Sequence, residues 1–322
     1  MQTLEPRRMM ASAAQLDSQY LRFFLADTTT NQPIAEVTSR HPIDASLIQD
    51  RDVTIYAVPR DGVDSDDIGR VRMRVPRVGQ RNERVAPYAL FGDRNGDFGG
   101  DWRPDAGTYE LDVRVYDSNQ RRRVLETVDL EFQIRDDPKT RIIDVTQLPQ
   151  DVTSRFPEVQ HAIPNDSMDD GPAIRAAINV LTTQLESDQL DSATVYLPPG
   201  VFDVGESIVV NEKITLLGAG AEATTLTHTD AFAFDGTDIT DTDVRLNNVN
   251  RAGYLVDFDR NADGAALRGM TLTGPNAIGG VFSHDADLLD ISGTRFQTFL
   301  WSGLRSFNLD DATIFDNVFV DA

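Results

Sequence analysis

Beyond Thr108 the apolar residues Tyr109, Leu111, Val113 and Val115 alternate with Glu110, Asp112 and Arg114. A second run sets Val128, Leu130, Phe132 and Ile134 against Asp129, Glu131 and Gln133. A period of two buries one face of a strand and wets the other. Val53, Ile55, Ala57 and Val71, Met73, Val75 give two more such strands, and Asp-Gly and Asn-Gly pairs in the connectors mark turns. Short strands and turns at this spacing predict an antiparallel β-sandwich for the first part of the chain.

The pattern then changes. After Asp169-Asp170-Gly171-Pro172, residues Ile174, Ala177, Ile178, Leu181 and Leu185 fall on one helical face. The two Asp and the Gly offer caps, and Pro172 suits a first helical turn. Short apolar runs follow at 194–197, 208–210 and 214–217, separated by turn residues. Further on, Leu267, Ile291 and Ile314 recur at spacings of 24 and 23, and the same shifts align Leu272, Phe296 and Phe319. Two apolar columns at one coil period are what the stacked rungs of a solenoid require. The expected fold class is therefore all-β: an antiparallel sandwich, then a solenoid of stacked short strands preceded by one amphipathic α-helix.

The polar cluster Arg135-Asp136-Asp137-Pro138-Lys139 ends the last alternating run and marks the boundary. The expected division is a 1–15 terminal segment, a 16–137 sandwich and a 138–322 β-helix. Composition sharpens this picture. The 322 residues carry 52 Asp+Glu against 30 Lys+Arg, a net charge of -22, and no Cys. Without Cys there are no disulfides, thiolate metal sites or Cys nucleophiles. The 11 Glu are outnumbered by 41 Asp and the 2 Lys by 28 Arg, and Asp favours turns and caps over helix interiors. Residues 1–137 carry net -5 and residues 138–322 net -17. Such acidity opposes binding to nucleic acid, whose phosphates are met by Lys and Arg. No run reaches the roughly 18 apolar residues of a membrane span.

Three resemblances follow from particular motifs. The Asp169-Asp170 pair before the helix, the Tyr196-Leu197-Pro198-Pro199-Gly200 strand and turn, and the Leu216-Leu217-Gly218-Ala219-Gly220 strand end together resemble the pectate-lyase-type superfamily of right-handed parallel β-helices. Val85 to Asp93, with Trp102 and Gly107-Thr108-Tyr109, resembles small Ig-like modules of secreted bacterial carbohydrate-active and adhesion proteins. Leu4-Glu5-Pro6-Arg7-Arg8 followed by Met9-Met10-Ala11-Ser12-Ala13 resembles a short segment that opens exported bacterial proteins. These resemblances imply an extracellular or cell-surface protein whose partner is a polysaccharide, acting as a polysaccharide lyase or glycoside hydrolase. The alternative is a noncatalytic glycan-binding or adhesion solenoid; oligomeric state stays open. In that superfamily the helix covers the open end of the solenoid, which makes Asp166, Asp169 and Asp170 structural. Residues 314–320 read as mid-rung and the sequence stops without a capping element, so a longer solenoid is expected.

The repeat also aligns Asp263, Asp287 and Asp310, and two residues earlier Asn261, Asp285 and Asn308. Stacked rungs lie about 4.8 Å apart, where like charges repel unless a cation, a shared proton or water intervenes. One reading is a calcium site on Asp263, Asp285, Asp287 and Asp310, since Ca²⁺ accepts many oxygen ligands in tolerant geometry. The other is a turn row whose carboxylates satisfy backbone N–H groups. Asp93-x-Asn95-x-Asp97 and Asp259-x-Asn261-x-Asp263 begin like calcium loops but lack the closing acid. For catalysis, hydrolases of this fold use Asp pairs, which points to Asp287 with Asp310; His284, one of 4 His, is the proton shuttle suited by its titration range. Lyases of this fold pair Ca²⁺ with an Arg or Lys, and Arg268, Arg295 and Arg305 lie on or beside the rungs. The intact motif sets of polygalacturonases and of arginine-dependent lyases are not present. Phe299, Trp301 and Phe307 are candidate sugar platforms.

Overall fold

A computed structural model describes residues 17–94, 96–120, 123–232, 253–258, 260 and 262–320. The 1–15 segment, Asn95, Asp259, Asn261 and the last two residues, all named above, lie outside the described residues.

The first part is a two-sheet sandwich. One sheet orders β2 (Gln32–Glu36), β1 (Leu21–Asp27), β4 (Val53–Pro59) and β7 (Tyr88–Ala89). The other orders β3 (Ile43–Asp44), β11 (Val124–Arg135), β10 (Gly107–Asp117), β5 (Ile68–Val75) and β6 (Gly79–Glu83). The alternating runs behave as their pattern predicts: Leu111, Val113, Val115 and Val128, Leu130, Phe132, Ile134 are all buried between the sheets. One pair departs from an antiparallel scheme, because β3 lies parallel to β11. A small hairpin joins β8 (Asp93–Arg94) to β9 (Asp97–Phe98), and Asp93 Oδ1 accepts the Gly96 N–H at 2.6 Å. That bond is the Asx turn expected of Asp in such a loop.

The second part opens with β12 (Thr140–Asp144), a short helix α1 (Gln150–Arg155) and α2 (Gly171–Glu186). Ile174, Ala177, Ile178 and Leu181 of α2 are buried in one core with Val195, Val210 and Leu216 of the first rungs, so the helix closes the solenoid end. Asp170 does not cap α2 with its side chain. Its Oδ1 accepts the Ile163 N–H at 2.9 Å and its Oδ2 the Asp203 N–H at 3.2 Å, tying the pre-helix segment to the first rung. Asp169 Oδ1 accepts from Gly171 and Gly205 at 2.9 and 2.8 Å.

Each rung visits three parallel sheets in a right-handed coil. The first sheet stacks β12, β13 (Ser192–Leu197), β16 (Ile214–Gly218), β19 (Ala266–Arg268), β22 (Asp290–Ser292) and β25 (Thr313–Phe315). The second stacks β14 (Gly200–Val204), β17 (Thr224–His228), β20 (Thr271–Thr273), β23 (Arg295–Gln297) and β26 (Val318–Val320). The third stacks β15 (Ile208–Val210), β18 (Tyr254–Phe258), β21 (Gly279–His284) and β24 (Ser302–Phe307). The predicted columns are in register: Leu267 pairs with Ile291 and Ile291 with Ile314, Leu272 with Phe296 and Phe296 with Phe319. The tight corner between the first and second sheets needs a left-handed residue, supplied by Gly269 (φ 63), Gly293 (φ 59) and Asp316 (φ 54). Glycine meets that need without strain, and Asp tolerates it better than most residues.

The sandwich sits on the outward face of the first sheet. Tyr196 and Ala219 of the solenoid belong to the sandwich core, and the Tyr196 hydroxyl donates to Ile34 O at 3.0 Å. Arg60 pairs with Asp316 at 2.6 Å, and Arg295 reaches both Asp61 and Glu222 at 2.5 Å. With that face covered, a ligand track must use another side of the solenoid.

Candidate functional site

The third sheet carries the richest chemistry, with Asp257 and Phe282 buried at 6% exposure and His284 and Phe307 partly exposed at its end. Strand register sets Val209, Asp257, Phe282 and Arg305 in one column across four rungs. Because strand side chains alternate, His284 shares the face of Phe282, and Phe307 stacks beside it on the next rung. The rings of Phe282 and Phe307 lie 6.0 Å apart, as do those of His284 and Phe307, and the Arg305 guanidinium stands 5.0 Å from the Phe307 ring centre. His284 is partly exposed, and its Nδ1 lies 2.7 Å from Asp285 Oδ2. That nitrogen has no hydrogen bond of proper angle, so the pair is a close polar contact. Asp285 Oδ1 accepts from Asn308 Nδ2 at 2.9 Å. The Asn308 bond and the neighbouring imidazole hold the Asp285 carboxyl below its ordinary range. Asp285 (φ 55) and Asn308 (φ 49) take left-handed backbone where the sheet ends, turning their side chains back beside the strand.

The acidic row lies one corner further on. Asp263 Oδ1 accepts the Asp287 N–H at 2.8 Å, and Asp287 Oδ1 accepts the Asp310 N–H at 3.1 Å. Each carboxylate thus satisfies the backbone of the next rung, which is how a turn row of this kind is stabilised without a cation. The residues that follow, Lys213 (φ 56), Gly264 (φ 67), Leu288 (φ 56) and Asp311 (φ 54), form a second left-handed column. Lys213 N–H bonds to Asp263 O as Gly264 N–H does to Asp287 O and Leu288 N–H to Asp310 O. This register adds Glu212 to the row, a residue the 24-residue period missed because residues 228–254 lengthen its rung. The structure therefore brings together Asp263, Asp287 and Asp310 as one stack, and His284 with Asp285 as a separate pair. Among the described residues, no three His, Asp or Glu side chains converge in a way that could hold a metal ion.

Of the aromatic candidates, Phe299 is buried in the solenoid core, Trp301 is exposed at 41%, and Phe307 is partly buried in the third-sheet patch. Asp257 and Phe282 were not legible as site residues; their column joins unlike residues, and no repeat of one residue type marks it.

The three stacked parallel sheets with a helix over their N-terminal end define a right-handed parallel β-helix. Residues 160–262 match the family model described as rhamnogalacturonase A/epimerase, pectate lyase-like. Among solved structures, the chain is similar to the A-module of the Azotobacter vinelandii mannuronan C-5 epimerase AlgE6 (22% identity over 48% of this chain and 42% of that one, TM-score 0.34). It is also similar to the ORF18 protein of Geobacillus virus E2 (20% identity, 60% of this chain and 34% of that one, TM-score 0.35). A Yersinia enterocolitica family 28 exopolygalacturonase matches at 10% identity, over 82% of this chain and 58% of that one, with a TM-score of 0.33. The chain spans less than half the length of the AlgE6 and ORF18 structures. No curated protein matches it. No helix among the described residues is long and apolar enough to cross a membrane.

Proposed function

We propose that this protein is an extracellular or surface-bound carbohydrate-active β-helix that lays a polysaccharide across the outward face of its third sheet, with His284 as the proton-transfer group. The observation that carries this reading is the His284–Asp285 contact at 2.7 Å beside Phe307 and Arg305 on the third sheet. The aromatic edge of Phe307 offers apolar surface to sugar C–H groups, and an imidazole can both accept and donate a proton.

The arrangement favours elimination over hydrolysis. In elimination from a uronate, His284 takes the proton α to the carboxylate, the electron pair forms the ring double bond, and the glycosidic oxygen leaves with its electrons. Arg305 then faces the charge that develops on the carboxylate, and Asp285 steadies the imidazolium. Hydrolysis instead asks for two carboxyl groups flanking the scissile bond. Asp287 and Asp310 are already engaged with backbone N–H groups or exposed in the turn row, which supports giving them a structural part.

A second reading, a noncatalytic glycan-binding solenoid, is favoured by partly buried Phe307 and exposed Trp301. One panel separates the two. The intact chain is incubated with acidic and neutral polysaccharides, with and without calcium, and unsaturated ends, reducing ends and retention on immobilised polysaccharide are measured. Unsaturated product abolished by His284→Ala supports elimination; reducing ends without unsaturation support hydrolysis; retention alone supports binding; none of the three sinks the carbohydrate reading.

A further inference from the structure

The junction of sandwich and solenoid encloses a cavity of about 120 Å³. At roughly 30 Å³ of liquid volume per water, that is space for about four waters, enough for the head of a small organic molecule. Ligand cavities favour such domain boundaries, where an apolar wall meets a few convergent polar groups. Here the wall is Leu47, Ile142 and Leu217, and the polar side holds Arg40, His41 and Ser292. Each face comes from a different part of the chain, so the cavity exists only when the sandwich is seated.

Four arginines, Arg22, Arg40, Arg60 and Arg268, and four carboxylates, Asp17, Glu36, Asp44 and Asp316, line the cavity; Asp17 accepts from Ser39, and Asp44 from Ser46 and Thr140. Arg22 pairs with Glu36 at 2.8 Å, Arg60 with Asp316 at 2.6 Å and Arg268 with Asp290 at 2.8 Å. Arg40 is different. Its guanidinium lies 4.0 Å from the centre of the Phe315 ring, and no carboxylate among the described residues stands within ion-pair distance. Stacking on a ring fixes the plane of the guanidinium and leaves its N–H fork free for a carboxylate. Beside it, His41 Nε2 lies 3.2 Å from Ser292 Oγ and 3.5 Å from Asp290 Oδ2. Burial, reinforced by Arg268 and Arg40, holds that imidazole down to about 4, so it is neutral at physiological pH. A neutral imidazole and a hydroxyl are suited to uncharged hydrogen bonds with a ligand body. With Asp17 and Asp44 held by hydroxyl and backbone donors, Arg40 is the lining arginine whose guanidinium keeps its N–H fork for a carboxylate from outside the chain.

We propose that this cavity binds a small monocarboxylate with a compact ring body, its carboxylate on Arg40 and its ring against Leu217 and Ile142. A uronic acid monosaccharide is the hydroxylated member of that class. The site is separate from the third-sheet face and stands whether or not that face is catalytic.

The test titrates the intact protein with D-glucuronate, cyclohexanecarboxylate and D-glucose while following the His41 ring signal by NMR, assigned with His41→Gln. With only 4 His in the chain the signal is resolvable. A saturable shift is expected with a carboxylate and none with glucose at equal concentration. Arg40 is exposed and its replacement leaves the core intact, so Arg40→Gln is expected to weaken binding about fivefold. No saturable shift with either carboxylate, an equal response to glucose, or unchanged affinity in Arg40→Gln overturns the proposal. The polysaccharide panel above is scored independently of all three.

Discussion

Replacing Asp170 by Ala is the sharpest test of whether the acidic pre-helix motif is structural. Asp170 is only 5% exposed, and its two oxygens accept the N–H groups of Ile163 and Asp203. Leaving two buried donors unmet costs about 2–5 kcal/mol. Burial also pushes the Asp170 carboxyl up to about 6. Its folded form therefore binds a proton more tightly than the unfolded chain does, and the group's contribution to stability falls as pH rises from about 4 to about 6. Over that window the wild-type protein loses about 3 kcal/mol from this one carboxyl. The alanine variant has no such loss. Its destabilisation should be largest near pH 4 and shrink by about 2–3 kcal/mol at pH 7. Urea unfolding of both proteins at stepped pH, with equal slopes, measures the difference. A cost that is flat with pH, or that grows as pH rises, would refute the reasoning. Loss of activity without loss of stability would move Asp170 from the scaffold to the site.

Three further outcomes are expected. His284→Ala should lower turnover about 10²- to 10⁴-fold while leaving retention on immobilised polysaccharide intact, as removal of a general base does. Asp287→Ala removes the acceptor for the Asp310 N–H and should cost about 1 kcal/mol, with calcium changing the melting temperature of neither protein if the row is a backbone-satisfying turn. Tyr196→Phe deletes the hydroxyl that binds Ile34 O across the buried junction and should destabilise by about 1 kcal/mol in thermal unfolding.

What the sequence made legible follows from where its repeats are regular. Rungs of 23 and 24 residues put Leu267, Ile291 and Ile314 in one column without any structural knowledge, and the same column continues to Leu216. Leu216 escaped because the interval between β17 and β18 breaks the period. Asp residues at repeated corners were visible for the same reason, since one residue type recurs wherever the backbone asks for the same bond. The third-sheet patch was only half visible. His284 stood out by its chemistry, whereas Asp257, Phe282 and Arg305 meet through strand register alone. Contacts such as His41 with Ser292, 251 residues apart, leave no trace in a single sequence.

The charge division between the two parts also acquires a physical meaning. Residues 1–137 carry net -5 and residues 138–322 net -17, yet several sandwich arginines are turned toward the solenoid rather than toward solvent. Arg60 meets Asp316, Arg22 reaches Gly293 O at 3.4 Å, and Arg40 lies over Phe315. In the other direction Arg295 of the solenoid is held by Asp61 of the sandwich. Exposed ion pairs contribute little each, but Arg60, Asp316 and Arg22 are mostly buried here, so breaking one partner strands a charge. Docking through arginines rather than through apolar surface alone lets a strongly acidic solenoid hold its neighbour without further raising the like-charge repulsion. It also joins the sandwich to the first sheet, away from the acidic, aromatic and imidazole mixture of the third. The geometry that seats the sandwich on the first sheet thus sets it apart from the face on which we propose that a polysaccharide lies.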